Sequence, residues 1–207
     1  MEKFLNLSKE KQNSIIDAAL VTFGTNGYKK ASINEIANVA GISKAMIFHY
    51  FGTKKDLYLY LVNMCSNLLT NEVDDKFDHS ITDFFDRIIL ASDIELTVMK
   101  KHPAILKFLH SIYLETNEEV IRELKEIFDS GENFRSKIAF HGMDTSKFKD
   151  GIDLKLVMKM LIWLTEGFMN TSIDKAGMDL ERISNDFYEC LHLLKNNLYK
   201  EEYLAHS

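Results

Sequence analysis

The sequence contains few of the residues that interrupt helices. In 207 residues there is one proline, Pro103, and there are nine glycines. An all-β fold needs turn-forming residues about every 8–12 positions, so this composition argues against one and favours long helices. The two cysteines, Cys65 and Cys190, are too few for a disulfide framework or a four-cysteine zinc site.

Long apolar runs are also absent. The longest uncharged stretch, Leu57 to Asn71, is shorter than the ~20 residues that a membrane-spanning helix needs. The N-terminus lacks an apolar run followed by a small-residue cleavage site, so no signal peptide is expected. Apolar residues make up 46% of the chain and charged residues 27%, a globular balance that excludes wholesale disorder. We expect a helical, cytoplasmic protein without membrane contact.

Charge is unevenly distributed along the chain. The formal net charge is −6, but residues 1–60 hold eight lysines and five acidic residues, a net charge of +3. Residues 61–207 carry the excess of acid, a net charge of −9. A basic N-terminal segment on an acidic body indicates a local nucleic-acid contact. An excess of three charges over sixty residues is also compatible with chance, so charge alone leaves both interpretations open.

Residues 32–51 have the pattern of a helix-turn-helix. Ser32 and Glu35 form an S-x-x-E capping box that predicts the start of one helix, and Gly41 is well placed for the left-handed conformation that ends it. Ser43 can cap a second helix that continues to about residue 51. Two short helices joined by a glycine-containing turn are the arrangement in which the second helix enters the major groove of DNA.

The second of these helices is predicted to expose a face without acidic residues. Ile47 and Phe51 lie four apart and can share a buried side. Because phosphates repel carboxylates, an acid-free opposite side suits the groove, and the amides at both helix starts suit phosphate oxygens. The residues on that side are Ser43, Lys44, Ala45, Phe48 and His49. A helix-turn-helix that is only scaffold in a helical bundle is the alternative.

Residues 15–61 resemble the DNA-binding domain of a known family. They read IIDAALVTFGTNGYKKASINEIANVAGISKAMIFHYFGTKKDLYLYL and contain, in order, A-x-x-x-F, G-Y, S-I-x-E-I-A, A-G-I-S-K and F-H-Y-F-x-x-K-x-x-L. This run is similar to the tetracycline-repressor (TetR/AcrR) family of bacterial transcriptional regulators. The resemblance implies an all-α fold, with a three-helix helix-turn-helix domain at 1–53. A long fourth helix would join it to a helical ligand-binding and dimerisation domain at 54–207.

The resemblance also implies particular DNA contacts. Ser32 and Lys54 match positions that contact phosphate, and Lys44 and Ala45 match positions that read base edges. Phe48 stands where the family often has tyrosine, so it keeps apolar contact with a thymine methyl but lacks the hydroxyl. With phosphate candidates added from charge and spacing, the predicted contact set is Lys29, Lys30, Ser32, Ser43, Lys44, Ala45, Phe48, His49, Tyr50 and Lys54. Two alternatives stay open: Tyr50 could belong to the core, and Lys44 could be a solvated surface lysine.

The last two predicted helices, at about 153–174 and 179–199, are apolar on more than one side. Such helices must be covered on more than one side, here by their own core and by a second copy of the chain. The predicted homodimer interface is Leu156, Met160, Trp163, Gly167, Phe187, Leu191, Leu194 and Leu198. A two-fold dimer agrees with the family and places two recognition helices ~34–36 Å apart on a palindrome. The alternative is a monomer with an unusually large core.

The middle of the chain is rich in apolar residues, which more often form core than pocket. In the family's plan this part holds the effector cavity, so the resemblance suggests lining residues. They are Phe84, Met99, His102, Phe108, His110, Tyr113, Trp163, Glu166 and Asn170. A carboxylate in the cavity, from Glu95, Glu115 or Glu166, would favour a cationic lipophile. Without one, a neutral or acyl-type apolar ligand is expected.

Taken with the resemblance, these features predict a ligand-responsive transcriptional regulator, and repression is the family's commoner mode. The dimer would bind a palindromic operator and leave it when a small hydrophobic effector favours the other of two conformations. A DNA-binding protein of the same fold without a small ligand, architectural or controlled by a protein partner, is the alternative.

Catalysis, metal binding and cofactors are not expected. Cys190 and His192 are two apart on a predicted helix and so do not face each other. The sequence contains no H-E-x-x-H, P-loop or G-x-S-x-G pattern. His102 and His110 are too weak a pair to indicate a metal. No catalytic residue, metal ligand or cofactor site is therefore assigned.

Overall fold

The computed structural model describes residues 2–171, 173–174, 177–178 and 180–204, with side chains described for 2–168 and 180–204. Within these ranges the chain forms ten α-helices and one antiparallel pair of two-residue strands, Ile173–Asp174 and Gly177–Met178. The helices are α1 (Glu2–Leu5), α2 (Lys9–Lys30), α3 (Ile33–Val39), α4 (Lys44–Phe51), α5 (Lys54–Lys76), α6 (Phe84–Lys101), α7 (Pro103–Tyr113), α8 (Ile121–Phe140), α9 (Leu154–Thr171) and α10 (Leu180–Leu198). The all-α prediction is confirmed.

Two compact units make up the chain. The first combines Met1–Asn71 with Val98–Gly131, and the second combines Glu72–Thr97 with Glu132–Ser207. The N-terminal helices thus share a unit with α7 and with parts of α5 and α8. The predicted domain boundary at residue 53 stays a prediction.

Aromatic rings fill the centre of the first unit. The ring centroid of Tyr58, from α5, lies 5.0 Å from that of Phe23 in α2 and 5.5 Å from that of Phe108 in α7. Helix α1 closes another side of this core with the fully buried Phe4, whose ring lies 4.7 Å from that of Phe51 in α4. The helix-turn-helix and α7 therefore share one hydrophobic core.

Helices α2 and α7 approach each other closely at Gly24. A Cβ atom added to Gly24 would lie 3.0 Å from the backbone nitrogen of Phe108, tighter than almost all real Cβ contacts. Glycine permits this approach because it has no side chain. The sequence pattern suggests that α2 closes at Gly24 and Gly27. In the structure α2 runs through Gly24, and the backbone first departs from helical geometry at Gly27, where φ is +66°.

The second unit has its own hydrophobic core. The fully buried Phe84 and Phe85 of α6 pack against Phe148, with ring centroids 5.7 and 6.1 Å away. Tyr199, just after α10, lies 4.7 Å from the same Phe148 ring. Side chains of α8, α9 and α10 complete the cluster, including the fully buried Leu191.

A charged network centred on Asp83 lies beside this core. The Asp83 carboxylate accepts hydrogen bonds from Lys147 Nζ (2.9 Å), Lys195 Nζ (3.2 Å) and the Tyr199 hydroxyl (3.2 Å). Burial by itself raises the pKa of Asp83, but the hydrogen bonds from Lys147 and the Asp86 amide, with the charge of Lys195, outweigh burial and lower it. The folded unit therefore favours the ionised carboxylate.

Arg87 is fully buried and bonds to backbone carbonyl groups. Its guanidinium donates to the carbonyl oxygens of Ile138 (2.9 Å), His141 (2.8 Å) and Ile81. The guanidinium carbon also lies 4.8 Å from the Phe77 ring centroid. These contacts connect the ends of α5 and α8 to the first turns of α6.

Several local predictions need correction. The apolar pattern predicts a helix at 81–91, and the structure has α6 there, which begins at Phe84 and extends to Lys101. Thr116 and Glu119 have the spacing that predicts a capping box, but the Glu119 carboxylate accepts a hydrogen bond from the Tyr28 hydroxyl instead. Proline suits the first turn of a helix, and Pro103 occupies the first turn of α7. Across the described residues, no helix combines the length and apolar character that crossing a bilayer requires.

Candidate nucleic-acid interface

The turn between α3 and α4 closes as the sequence predicts. Gly41 has a φ of +68°, in the left-handed region that favours glycine. The amide of Ile42 donates to the carbonyl of Ala37 (3.0 Å) and the amide of Gly41 to that of Asn38 (3.2 Å), which is the hydrogen-bond pattern of a Schellman cap. The Ser43 hydroxyl then accepts from the Met46 amide and caps α4.

Helix α4 has one buried side and one exposed side. Ile47, Tyr50 and Phe51 are buried in the first unit's core. The exposed residues are Lys44, Ala45, Met46, Phe48 and His49. The exposed side carries no acidic residue, so no carboxylate on it would repel the phosphates of DNA.

Two residues of the predicted contact set differ from the sequence expectation, one in its burial and one in its hydrogen bonding. Tyr50 is only 6% exposed, and its ring centroid lies 6.3 Å from that of Phe4. A place in the core is the alternative that the sequence left open for this residue. Ser32 holds the cap position of α3 but makes no side-chain cap hydrogen bond, so the predicted box with Glu35 does not form. The Ser32 side chain is exposed instead.

Lysines flank the helix-turn-helix on both sides. Lys29 and Lys30 are exposed at the end of α2. Lys54, at the start of α5, is half-buried: its ammonium donates to the Lys29 carbonyl (3.2 Å) and lies 4.8 Å from the Tyr28 ring centroid. Burial lowers the pKa of Lys54, against the opposing charges of Glu119 and Glu115. Lys54 thus brings a positive charge beside the segment that carries Lys29 and Lys30.

Two carboxylates in the segment after α7 accept hydrogen bonds from the end of α2, where Lys29 and Lys30 lie. We call residues 27–32 the α2–α3 junction. Within it, the Tyr28 amide donates to Glu115 Oε2 (2.8 Å) and the Tyr28 hydroxyl donates to Glu119 Oε2 (2.7 Å). Burial, the Glu119 hydrogen bond and the nearby carboxylates raise the pKa of Tyr28, so the phenol stays protonated. The junction is therefore tied to the segment between α7 and α8.

The predicted ligand residues are divided between the two units. In the first unit Phe108 and His110 are buried, Met99 and Tyr113 are half-buried and His102 is exposed. In the second unit Phe84 is buried in the core, Glu166 is half-buried and Trp163 is 57% exposed. The side chain of Asn170 lies outside the described residues. Effector binding by these residues stays a prediction.

The predicted dimer residues lie differently on the two helices. On α9, Leu156, Met160, Trp163 and Gly167 are all exposed. On α10, the predicted residues face inward. Leu191 is fully buried, and the other three are half-buried against the core of the second unit: Phe187, Leu194 and Leu198. These residues therefore cover the chain's own core.

A different side of α10 exposes an apolar side chain that the predicted dimer interface does not include. Leu193 is 65% exposed. It borders an open depression of about 460 Å³ whose other lining residues are Phe168, Asp186, Glu189 and Cys190. Among the described residues, no group of three or more His, Cys, Asp or Glu side chains could hold a metal ion.

Sequence reasoning also missed one residue on the exposed side of α4 and two long-range contacts of Tyr28. Met46 is 37% exposed on α4, although the predicted exposed side did not include it. Helical geometry offered the signal, because Met46 lies 100° around the helix from both Ala45 and Ile47 and so borders the buried side. The contacts of Tyr28 with Glu115 and Glu119 join residues 87 and 91 positions apart, which a local pattern does not reveal.

The chain matches the family model described as bacterial regulatory proteins, tetR family, over residues 15–61. It is 24% identical over 191 residues to the fatty acid metabolism regulator protein of Bacillus subtilis, covering 88% of this chain and 94% of that protein. It is 22% identical over 206 residues to the biofilm operon icaADBC HTH-type negative transcriptional regulator IcaR of Staphylococcus aureus, covering 92% of this chain and all of that protein.

The fold is also found in a solved structure. The transcriptional regulator FadR from Bacillus subtilis, crystallised in complex with stearoyl-CoA, superposes with a TM-score of 0.68 at 20% sequence identity. The match covers 86% of this chain and 96% of FadR. With the helix-turn-helix geometry, the match identifies residues 15–61 as a DNA-binding segment of the tetR type, and the chain as a whole is similar to bacterial transcriptional regulators of that family.

Proposed function

We propose that this protein is a ligand-responsive repressor that binds a palindromic operator as a homodimer in the cytoplasm and is released by an acyl-type effector. The observation that carries the DNA-binding part is the acid-free exposed side of α4, presented by a closed helix-turn-helix and flanked by Lys29 and Lys30. Its N-terminal half would enter the major groove while the flanking lysines contact phosphates.

Repression and the class of effector are supported by the relatives. IcaR is named a negative transcriptional regulator, and FadR was crystallised with stearoyl-CoA. A long acyl chain is apolar and needs an apolar cavity, which suits the aromatic and aliphatic composition of the middle of this chain. The proposed ligand is therefore a long-chain acyl-CoA.

The proposed dimer uses the exposed side of α9. Leu156, Met160 and Trp163 are 49%, 38% and 57% exposed, and Leu193 on α10 is exposed as well. Large apolar side chains on neighbouring helices are typical of a surface that another protein covers. A second copy of the chain is the proposed occupant because a palindrome is read by two symmetric recognition helices.

The proposed switch acts through the spacing of the two recognition helices. An effector shifts the equilibrium only if it binds one conformation more tightly than the other. The change in spacing is proposed to pass through helix α5, because Lys54 at its start contacts the α2–α3 junction. The segment after α7 offers a second route through Glu115 and Glu119.

The proposal is tested with the purified protein and duplex DNA from its own upstream region. Fluorescence anisotropy is measured for that duplex and for a scrambled duplex, with stearoyl-CoA then added and coenzyme A as the matched control. We expect tight binding to the upstream duplex and release by stearoyl-CoA alone. Equal binding to both duplexes at every salt concentration would contradict operator recognition, and retention of DNA at saturating stearoyl-CoA would contradict this effector class.

A regulator of the same fold without a small ligand is the second candidate. Burial of Phe84 and Phe108 in packed clusters favours it, because both were expected to line the cavity. Under this candidate, operator binding persists and does not respond to acyl-CoA, and a protein partner controls it.

A further inference from the structure

The exposed side of α4 is mainly apolar, which restricts what it can recognise. Three of its five exposed side chains, Ala45, Met46 and Phe48, have no hydrogen-bonding group suited to a base edge. Lys44 and His49 supply the polar groups. Guanine and adenine are usually read by bidentate hydrogen bonds, so this side has little capacity for such contacts.

The three apolar residues have a definite order around the helix. At 100° per residue, Ala45 lies at the centre of the exposed side, with Met46 100° to one side and Phe48 60° to the other, as follows from about 3.6 residues per turn. The small Ala45 side chain allows the helix to approach the groove floor. The long side chains of Met46 and Phe48 then flank this line of closest approach.

Both flanking side chains are available for contact in the folded chain. Met46 is 37% exposed and Phe48 is 38% exposed, whereas their neighbour Ile47 is fully buried. The Lys44 ammonium lies 5.8 Å from the Phe48 ring centroid and places a positive charge beside the apolar surface. The combination suits a surface that is apolar toward the bases and positive toward the phosphates.

From this arrangement we infer that Met46 recognises the methyl group of a second thymine in the operator half-site, different from the thymine that the family resemblance assigns to Phe48. The inference rests on the proposed operator binding and adds the recognition chemistry to it. Thymine is the base that presents a methyl group in the major groove, and apolar side chains distinguish it by covering that group. Each half-site then contains two positions at which the methyl, rather than a hydrogen bond, carries the discrimination.

The test starts with selection of duplexes from a random pool by the purified wild-type protein. Each thymine of the enriched half-site is then replaced, one at a time, by deoxyuridine, which removes the methyl and leaves the hydrogen-bonding groups unchanged. We expect two positions per half-site at which affinity falls at least about three-fold, since covering one methyl-sized group contributes about four-fold. At other thymines the affinity should stay within about 1.5-fold.

Variants assign each methyl to its side chain. Met46→Ala should remove the uridine effect at one of the two positions and leave it at the other, and Phe48→Ala should do the reverse. Val21→Ala is the matched control, because Val21 is 51% exposed on α2 and outside the helix-turn-helix. Circular dichroism and binding to a scrambled duplex show that each variant remains folded and keeps its phosphate contacts.

The outcomes separate this inference from the proposed function. An enriched palindrome whose thymines all tolerate uridine would overturn methyl recognition while leaving operator binding intact. An effect at both positions that survives in both variants would also overturn it, because other residues would then read the methyls. Failure to enrich any palindrome would overturn operator binding and this inference with it.

Discussion

At the residue scale, lysines with different surroundings are expected to have different effects on DNA binding. Lys44 lies on the exposed side of α4, which we propose to face base edges, whereas Lys29 lies in the α2–α3 junction, which we propose to contact phosphates. A base contact discriminates between sequences, and a phosphate contact strengthens binding to all of them. Substitution of each lysine should therefore change a different property.

Lys44→Ala should weaken binding to the selected operator by about 5- to 150-fold and relax its sequence preference. Lys29→Ala should weaken operator and scrambled duplexes alike and reduce the slope of log affinity against log salt by about one. Anisotropy titrations on both duplexes across a salt series measure both quantities. A double variant, Lys44→Ala with Lys54→Ala, that binds like wild type would show that the helix-turn-helix is scaffold only.

Asp83→Asn should destabilise the protein in a pH-dependent way. The folded-state pKa of Asp83 is lowered, so its stabilisation is present above the unfolded pKa of about 3.9 and lost as pH falls through the folded value. The variant leaves Lys147 and Lys195 without their shared carboxylate and should lose about 3 kcal/mol of unfolding free energy at pH 7. Urea denaturation from pH 7 to pH 3 measures this loss.

The matched control for Asp83 is Asp86→Asn. The Asp86 carboxylate also contacts Lys195, at 2.8 Å, but its side chain is 52% exposed, so its loss should cost at most about 1 kcal/mol.

The difference in unfolding free energy between wild type and Asp83→Asn should shrink below about pH 4, where Asp83 of the unfolded wild-type chain begins to bind a proton. A difference that is constant down to pH 3 would contradict the assigned charge interaction.

At the scale of elements, Tyr28 at the α2–α3 junction and Tyr58 of α5 have neighbouring rings but differ in the hydrogen bonding of their hydroxyl groups. The Tyr28 hydroxyl donates to Glu119. The Tyr58 hydroxyl, nearby in the same aromatic cluster, is buried and has no hydrogen-bond partner among the described residues. A buried unpaired hydroxyl costs free energy, and a paired one contributes it.

Phenylalanine substitutions should therefore change stability in opposite directions. Tyr58→Phe should raise the unfolding free energy by about 1 kcal/mol, because it removes a desolvated hydroxyl that has no hydrogen-bond partner in the described part of the chain. Tyr28→Phe should lower it by about 1 kcal/mol. Urea denaturation of both variants at pH 7 gives the comparison, and a loss of equal size in both would mean that the Tyr58 hydroxyl is paired.

Predictability from the sequence also differs from element to element. The turn at Gly41 and the cap at Ser43 were predictable, because each depends on residues within a few positions of one another. The T-x-x-D spacing of Thr53 and Asp56 likewise predicts a box-like cap, and the structure has the two reciprocal hydrogen bonds. The inward stripe of α10 was assigned to the dimer because periodicity identifies an apolar side without telling what covers it.

Long-range partners were not predictable in the same way. Glu115 was considered for an effector cavity, but its carboxylate binds the Tyr28 amide. A carboxylate near the end of a helix has many possible partners, and the tertiary fold selects one. The same holds for Asp83, whose partners Lys147 and Lys195 lie 64 and 112 positions away.

At the scale of the whole molecule, the proposed homodimer depends on the exposed side of α9. Trp163→Ala should weaken self-association at least about thirty-fold, since a large aromatic at the centre of an interface contributes most to its affinity. Analytical ultracentrifugation over a concentration series measures the change. Leu114→Ala is the control, because Leu114 is similarly exposed at the end of α7. Equal self-association of Trp163→Ala and wild type would place the interface elsewhere.

The measurement that tests the central claim most directly compares affinities for a selected palindrome, its isolated half-site and a scrambled duplex. We expect the palindrome to bind at least about 10³-fold more tightly than the scrambled duplex, with an intermediate affinity for the half-site. All three affinities should fall steeply as salt rises. Equal affinity for the three duplexes would contradict the proposal that this protein recognises an operator through two copies of α4.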